Sequence, residues 1–392
     1  MFIARVLGLS LFSLAAAWIG ASSMLERVGR GAPIDVPNGR SSHRRPTVRG
    51  GGIGLAVGLC LVLLAFGSRG RWVPHGDIGL FAIATVIIAA IGLWADYLDP
   101  PASWRLFLQL SAAGLIIGGG MGFHTFLLPW GHNFTLWWAA VPLTLLWIAG
   151  LTNLYNFIDG VDGMAAGLAV VFSSGVAAAA IATHHPYEAI VALTILAGCL
   201  GFLWFNFPPA KVFMGDVGSL TLGFVFSVLA IRLATLGKYP IPLMFFLILY
   251  SSFLFDTSYT ILYRALRGEK FWLAHRTHLY ERLTLAGWRH LHVTLLYVGL
   301  SLVSLGLAFG YLYAGPVGRT VIVGCQLLVC VGQLTFVKIL ERSPVVVLKP
   351  RRPRGSEQQP AYRRQHTWRE ERRRTVVSSR RAECRSQNSE RG

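Results

Sequence analysis

Apolar stretches of membrane-spanning length recur along most of the chain and alternate with short polar segments. About 20 residues of α-helix cross the roughly 30 Å hydrocarbon core of a bilayer. Eleven such stretches are present, and one of them, 51–67, is short and rich in glycine. They cover residues 2–22, 51–67, 78–94, 106–122, 135–152, 164–182, 189–205, 218–236, 241–263, 291–312 and 319–339. The pattern predicts an all-α polytopic membrane protein of about eleven transmembrane helices.

The composition supports this class and separates a different C-terminal segment. The chain is 54% hydrophobic and 14% charged, more apolar surface than one soluble core of 392 residues hides. Residues 349–392 hold 14 Lys or Arg against 5 Glu, half of the net charge of +18. We therefore predict a transmembrane domain over 1–340 and a basic, disordered tail over 341–392. Anionic lipid is a reasonable partner for such a tail; nucleic acid is not expected.

The distribution of basic residues predicts the topology. With the N-terminus outside, the cytoplasmic loops hold 14 Lys or Arg and the outside loops hold 4. Basic residues prefer the cytoplasmic side of short loops, so the C-terminus is also expected inside, in a bacterial plasma membrane. The first stretch has features of a signal peptide, but its cleavage would put the arginine-rich loop 24–50 outside. We therefore assign it as the first span.

One polar stretch, 153–163, carries the densest candidate chemistry. Its amides and carboxylates recur at steps of three residues, which makes neighbours of adjacent members on a helix or a helix-ending turn. They are Asn153, Asn156, Asp159 and Asp162. Carboxylates at the end of a membrane span are costly to place, which favours a functional role over a polar cap.

Further acids lie in other loops of the predicted cytoplasmic face. Asp96 and Asp99 follow the third span, and Lys211 and Asp216 lie on a glycine-flanked turn within 206–219. Mg²⁺ typically takes oxygen ligands from a few carboxylates together with substrate phosphates. These loops therefore predict a site for a divalent cation and phosphates, although ordinary loop acids remain the alternative for Asp96 and Asp99.

Basic loops on the same face complete the pattern. Arg45 and Arg49 precede three glycines, whose exposed amides together with guanidinium groups suit phosphate oxygens. His275, Arg276 and His278 form either half of a zinc site or a phosphate contact, and the basic neighbourhood favours phosphate. A membrane body, acids for a metal and bases for phosphates indicate chemistry on a pyrophosphate donor with a lipid acceptor. A transporter, the alternative class, would place polar residues at mid-span instead.

Three motifs give the chain a family resemblance over roughly residues 1–340. They are Asn-Phe-Ile-Asp-Gly-Val-Asp-Gly at 156–163, Val-Phe-Met-Gly-Asp-Val-Gly-Ser at 212–219 and Arg-Pro-Thr-Val-Arg-Gly-Gly-Gly at 45–52. The chain resembles the polyprenyl-phosphate N-acetylhexosamine-1-phosphate transferases of glycosyl transferase family 4, which include phospho-N-acetylmuramoyl-pentapeptide translocase. The His-Arg-Thr-His segment at 275–278 is more similar to the branch that initiates O-antigen and related glycans. The resemblance implies a bundle of ten or eleven spans with a cytoplasmic active-site cleft.

The resemblance also implies a reaction. A polyprenyl phosphate, such as undecaprenyl phosphate, attacks the β-phosphate of a UDP-N-acetylhexosamine and releases UMP, which starts a lipid-linked cell-envelope glycan such as lipopolysaccharide O-antigen. Mg²⁺, or Mn²⁺ in its place, would neutralise and position the diphosphate. Membrane lipids surround such a protein, and a homodimer is one assembly compatible with the resemblance.

The matching positions imply roles for individual residues. Asp216 and Asp96 would bind the metal, and Asp96, Asp159 and Asp162 are the expected catalytic residues. Asn206, Phe213 and Asp162 would hold the nucleotide, with Phe213 stacked on the uracil. The expected phosphate and sugar contacts are Asn153, Asn156, Arg45, Arg49, His275, Arg276 and His278.

One position departs from the family pattern. Members usually carry two adjacent aspartates after the third span, and here the first of them is Ala95. The resemblance implies that this first aspartate acts as a base or at the metal site. Since a lipid phosphate is largely ionised at neutral pH, with a second pKa of about 6 by analogy with phosphoserine, loss of the base is expected to lower the rate of transfer without abolishing it. Two alternatives stay open: an active transferase, or an impaired member that binds lipid phosphate or UDP-sugar without turnover.

Overall fold

The structure, a computed structural model, describes residues 2–37, 43, 45–67, 78–236, 238–270 and 276–342. The predicted basic tail lies outside the described residues except for 341 and 342, which end the last helix. His275 lies outside them as well.

The described residues are almost entirely helical, and all eleven apolar stretches fall on helices. The helices are α1 (Phe2–Glu26), α2 (Ile53–Gly67), α3 (Ile78–Leu98), α4 (Ala102–Gly118), α5 (Ala140–Phe157), α6 (Met164–Ala182), α7 (Pro186–Asn206), α8 (Gly215–Thr235), α9 (Leu243–Leu249), α10 (Ser251–Leu266), α11 (Leu279–Leu285), α12 (His290–Tyr313) and α13 (Pro316–Arg342). A short 3₁₀ turn, Trp137–Ala139, precedes α5.

Helix length separates the spans into two groups. Among the described residues, eight helices are long and apolar enough to cross a bilayer, and α9 with α10 forms a ninth, bent candidate. Helices α2 and α4 have 15 and 17 residues. At 1.5 Å per residue they reach about 22–26 Å, less than the hydrocarbon thickness. The predicted class of polytopic membrane protein is confirmed, while two of the eleven predicted spans are short helices.

The ninth predicted span is broken rather than straight. Helices α9 and α10 meet at an angle of 80°. Two hydrogen bonds from neighbouring helices lie beside the break. Ser252 Oγ lies 2.6 Å from Ser301 Oγ of α12, and Gln333 of α13 donates to the Ser252 carbonyl at 3.2 Å. Because lipid offers no partner for a freed backbone group, neighbouring helices must supply one.

Two small antiparallel pairs accompany the helices, and the all-α prediction did not include them. Strand β1 (Ile34–Asp35) pairs with β2 (Thr47–Val48), and β3 (Thr125–Leu127) pairs with β4 (Asn133–Thr135). Val48 of β2 also bridges in parallel to Val212. This contact brings the arginine-rich loop before α2 against the loop that leads into α8.

Helix α8 is the centre of the bundle, and small residues let its neighbours approach. Of its spanning window 94% is buried, compared with 17% for α1 and 22% for α13. A Cβ on Gly92 of α3 would lie 2.5 Å from the Asp216 carbonyl oxygen. A Cβ on Gly223 would lie 2.8 Å from the Tyr155 Cβ of α5. Helices α3 and α5 therefore pack closely on α8 and place their C-terminal ends beside its N-terminus.

Candidate active site

The site is built around Asp216 in the first turn of α8. Its Oδ1 accepts hydrogen bonds from Arg49 Nη2 at 2.5 Å and from Asn156 Nδ2 at 3.0 Å. Its Oδ2 accepts one from Arg105 Nη1 at 3.0 Å. Two guanidinium groups, from a loop and from α4, therefore converge on one carboxylate at the end of the bundle.

Asp96, at the end of α3, caps the start of α8. Its carboxylate is fully buried and accepts the backbone N–H groups of Asp216 at 2.8 Å and Val217 at 3.1 Å, which α8 itself leaves without partners. Arg49 Nε lies 2.7 Å from the same carboxylate. Gly215 has a φ of +75°, and a Cβ there would lie 2.6 Å from Asp96 Oδ2. A glycine at position 215 is thus required for this cap.

The loop that carries Arg49 is fixed by backbone pairing. Gly51 and Gly52 donate to the carbonyls of Phe213 and Met214 at 2.9 Å each, and Phe213 N donates to Val48 O at 2.8 Å. The loop therefore holds Arg49 between the two carboxylates. Burial alone would lower the pKa of the Arg49 guanidinium, but the charges of Asp216 and Asp96 raise it above its ordinary value.

Arg105 was not among the predicted site residues. It lies one turn into α4, just after the prolines that follow Asp99, and about 30% of its side chain is exposed. The available signal was a basic residue in the polar segment 95–105 of the predicted site face. Sequence spacing does not show that its guanidinium reaches Asp216, because that contact joins positions 111 residues apart.

The polar stretch 153–163 approaches the same centre from α5. Asn156 donates to Ser219 Oγ at 2.8 Å as well as to Asp216. Asn153 donates to Gln109 Oε1 of α4 at 2.6 Å, so it ties two helices together. Burial raises the pKa of the Asp159 carboxyl well above its usual value; Arg49 opposes the shift, and Asp216 and the other acids reinforce it.

The residues predicted to hold a nucleotide form the adjoining wall. Asp162 Oδ2 accepts from Ala210 N at 3.0 Å, and its Oδ1 lies 3.0 Å from His290 Nδ1. Burial would raise the pKa of this carboxyl, but the His290 and Ala210 hydrogen bonds hold it below its usual value. Asn206 is buried; it donates to Val212 O at 2.9 Å and accepts from Gly163 N at 3.0 Å.

Phe213, the aromatic residue of that wall, is partly exposed. Its ring meets the His43 ring edge-on at 4.9 Å between centroids. Arg45, also predicted to contact phosphate, has an exposed side chain in the same loop.

A second carboxylate cap, also missed by the sequence reasoning, organises the histidine loop. Asp256 of α10 is fully buried and accepts from Leu279 N at 2.7 Å and Tyr280 N at 3.1 Å, at the start of α11. His278 is buried, with Nδ1 3.6 Å from Asp256 Oδ1, and its ring stacks on Tyr280. Tyr280 in turn donates to Phe157 O at 2.8 Å, which joins this loop to the end of α5. Arg276 is half-buried beside it.

The carboxylates do not form a ready metal site. Asp216 and Asp96 both accept guanidinium hydrogen bonds, and Asp96 also accepts two amides. Within the described ranges, no group of three or more His, Cys, Asp or Glu side chains converges as metal ligands do. The side chains as arranged therefore do not fit a divalent cation held by the protein alone.

Comparisons with a family model and with known proteins identify relatives of this chain. The model of glycosyl transferase family 4 matches residues 78–234. A Bacillus subtilis protein named "Probable undecaprenyl-phosphate N-acetylglucosaminyl 1-phosphate transferase" is 34% identical over 262 residues, 66% of this chain and 71% of that protein. The decaprenyl-phosphate N-acetylglucosaminephosphotransferase of Mycobacterium leprae is 27% identical over 337 residues, 79% of this chain and 84% of the relative. The phospho-N-acetylmuramoyl-pentapeptide-transferase of Bacillus thuringiensis is 32% identical over 211 residues, 50% of this chain and 64% of the relative.

Proposed function

Because the chain belongs to glycosyl transferase family 4, we propose that it transfers N-acetylhexosamine 1-phosphate from a UDP-sugar to a polyprenyl phosphate and thereby starts a lipid-linked glycan. One observation carries the proposal: Arg49 and Arg105 converge on Asp216 at the end of a bundle of membrane-spanning helices. Guanidinium groups placed there suit a diphosphate that must meet a lipid phosphate at the membrane surface.

In the proposed reaction an oxygen of the lipid phosphate forms a bond to the β-phosphorus. The bond from that phosphorus to the bridging oxygen breaks, and UMP leaves with the electron pair. Arg49 and Arg105 neutralise charge on the phosphates, which brings two anions together and stabilises the leaving group.

The nucleotide is proposed to bind beside Asp162, Asn206 and Phe213. The partly open Phe213 ring offers a face for the uracil, and hydrogen bonds to Ala210 and Val212 fix the side chains around it. Asn206 makes its bonds within the protein, so its proposed role is to shape this wall. The sugar is proposed to extend toward Arg276 and His278.

Ala95 is compatible with turnover in this scheme. It is buried, with 4% of its surface exposed, next to the Asp96 cap. An ionised lipid phosphate attacks without losing a proton, so an aspartate at position 95 is not required. A binding-only member is the competing proposal, and Ala95 is the observation that favours it.

The orientation follows from the charge asymmetry of the loops. We propose that the site end faces the cytoplasm, where nucleotide sugars are made, with the N-terminus outside. The site acids lie at helix ends, Asp96 at the end of α3 and Asp216 at the start of α8, which disfavours an ion path through the bundle.

The deciding experiment measures UMP release by the purified chain with polyprenyl phosphate and a panel of UDP-N-acetylhexosamines, UDP-N-acetylglucosamine first. The Ala95→Asp variant is assayed in parallel, each with and without Mg²⁺. Turnover by the unaltered chain is the expected result. Activity in the Ala95→Asp variant alone would identify a disabled transferase, and inactivity of both folded proteins would support a binding role.

A further inference from the structure

The charged groups in direct contact with Asp216, together with Asp96, balance one another. Its two oxygens face Arg49 and Arg105, and Asp96 shares the Arg49 guanidinium at 2.7 Å. Two carboxylates and two guanidinium groups sum to zero net charge. A divalent cation entering this centre alone would add two charges without a counter-ion, in surroundings that screen charge poorly.

The carboxylate oxygens of this centre also disfavour a cation that enters alone. Asp216 accepts three hydrogen bonds and Asp96 accepts two backbone amides and a guanidinium. A cation must displace a guanidinium to reach Asp216. The Asp96 oxygens cannot be released without uncapping α8. Asp216 Oδ2 is the most accessible oxygen, because Arg105 is the sole partner described for it and is partly exposed.

A diphosphate changes this balance. Its oxygens accept the same guanidinium forks that hold Asp216, so it can draw Arg105 and Arg49 away from the carboxylate. The carboxylate that is released then has its lone pairs free for a cation. A cation and a diphosphate that enter together also add little net charge, whereas either alone leaves the centre unbalanced.

We propose that Arg49 and Arg105 are internal counter-ions of Asp216 that are exchanged for a diphosphate, so that a divalent cation binds this chain only together with a diphosphate. Arg105 controls access to Asp216 Oδ2 and Arg49 controls access to Oδ1. The inference rests on the proposed UDP-sugar substrate for the identity of the diphosphate. The claim that the cation does not bind by itself is independent of that substrate.

The test measures Mn²⁺ binding to the full-length protein by electron paramagnetic resonance, which detects the free ion. Three conditions are compared: Mn²⁺ alone, Mn²⁺ with UDP, and Mn²⁺ with inorganic pyrophosphate. For the unaltered chain we expect no saturable binding of Mn²⁺ alone and one saturable site when UDP is present. Saturable binding of Mn²⁺ alone would overturn the proposal.

Arg105→Gln supplies the second measurement. Without the Arg105 guanidinium, Asp216 Oδ2 is available and the centre is negative, so we expect saturable binding of Mn²⁺ alone, at least about tenfold tighter than the limit measured for the unaltered chain. Arg282→Gln is the matched control, since it removes another guanidinium–carboxylate pair, with Glu341 at 2.6 Å, outside this centre. Unchanged Mn²⁺ binding in the folded Arg105→Gln variant would also contradict the proposal.

These measurements separate the inference from the proposed function. Turnover together with Mn²⁺ binding in the absence of any diphosphate would leave the transferase assignment intact and remove the counter-ion exchange. If UDP fails to promote Mn²⁺ binding while pyrophosphate succeeds, the exchange stands and the UDP-sugar assignment fails. If neither compound promotes binding, the exchange itself is wrong.

Discussion

At the scale of single residues, the Asp96 carboxylate has a structural role, because it accepts the N–H groups that begin α8 and faces the Arg49 guanidinium. Asp96→Ala leaves two helix amides without their acceptor and removes the carboxylate that faces Arg49 Nε. Each buried amide left without an acceptor costs about 1–3 kcal/mol, so we expect a clear fall in thermal midpoint for the purified protein. Asp99→Asn is the control, since Asp99 is exposed and asparagine tolerates its positive φ of +46°. Equal midpoints for the two variants would contradict the capping role.

A second residue-scale effect concerns pH. Burial raises the pKa of Glu281 to about 7, against the opposing influence of His278, whereas the ordinary value is 4.5. Between these values the folded state holds a proton that the unfolded state has lost, so this residue's contribution to stability falls as the pH rises from 4.5 to about 7.

Glu281→Gln removes this titration. We expect the thermal midpoint of the variant to fall less than that of the unaltered chain between pH 5 and about 7.5, because glutamine stays neutral throughout this range. The exposed Glu26→Gln is the matched control and should keep the original pH dependence. A variant with an unchanged pH dependence would show that Glu281 is not the group responsible.

The residues also show what a sequence can and cannot predict about the site. Asn156 and Asp216 were predicted from their motifs and Asp96 from its place in the loop after the third span, and they meet in the folded chain. Arg105 and Asp256 were missed because each acts through a contact made only when distant helices pack. A motif identifies residues that are close along the chain, but a cap supplied by another helix leaves no local pattern.

At the scale of elements, glycine positions determine which helices approach α8. In Gly92→Ala the new Cβ would lie 2.5 Å from the Asp216 carbonyl oxygen, so α3 must move away from α8. Overpacking of this kind costs about 1–3 kcal/mol. In Gly114→Ala of α4 the Cβ meets nothing within 4 Å, and the better helix propensity of alanine adds up to about 1 kcal/mol.

We therefore expect thermal midpoints that shift in opposite directions for these two substitutions. Gly92→Ala should also reduce turnover, because the shift displaces Asp96 relative to Asp216. A destabilised Gly114→Ala, or an unaffected Gly92→Ala, would contradict the packing described for α3 and α8.

The elements were largely predictable because apolar length is encoded locally. Each of the eleven predicted stretches is helical, whereas the break between α9 and α10 was not predicted. That break depends on polar partners from α12 and α13, such as Ser301 and Gln333, which the sequence of the broken span does not contain. The short pairing of β1 with β2 likewise lies between two predicted spans, where apolar periodicity gives no signal.

At the scale of the whole molecule, helix α8 connects two buried charge centres. Asp216 lies at its start among the site residues, and Arg232 lies in its last turn, fully buried, with Nε 2.9 Å from Glu188 Oε1 of α7. The Arg232 guanidinium also lies over the Tyr187 ring at 5.1 Å. Arg232 and Glu188 are both buried, so this pair is expected to stabilise the bundle without taking part in transfer.

A single and a double variant test this separation of roles. Arg232→Met leaves Glu188 buried without its cation, which costs about 3–5 kcal/mol, and should lower the thermal midpoint sharply. Adding Glu188→Met removes the unpaired charge, so the double variant should recover much of the loss. The double variant should retain transferase turnover per folded molecule, since α8 still presents Asp216 to Arg49 and Arg105. Loss of turnover in a stable double variant would mean that the two ends of α8 are coupled, and that the second centre belongs to the catalytic cycle.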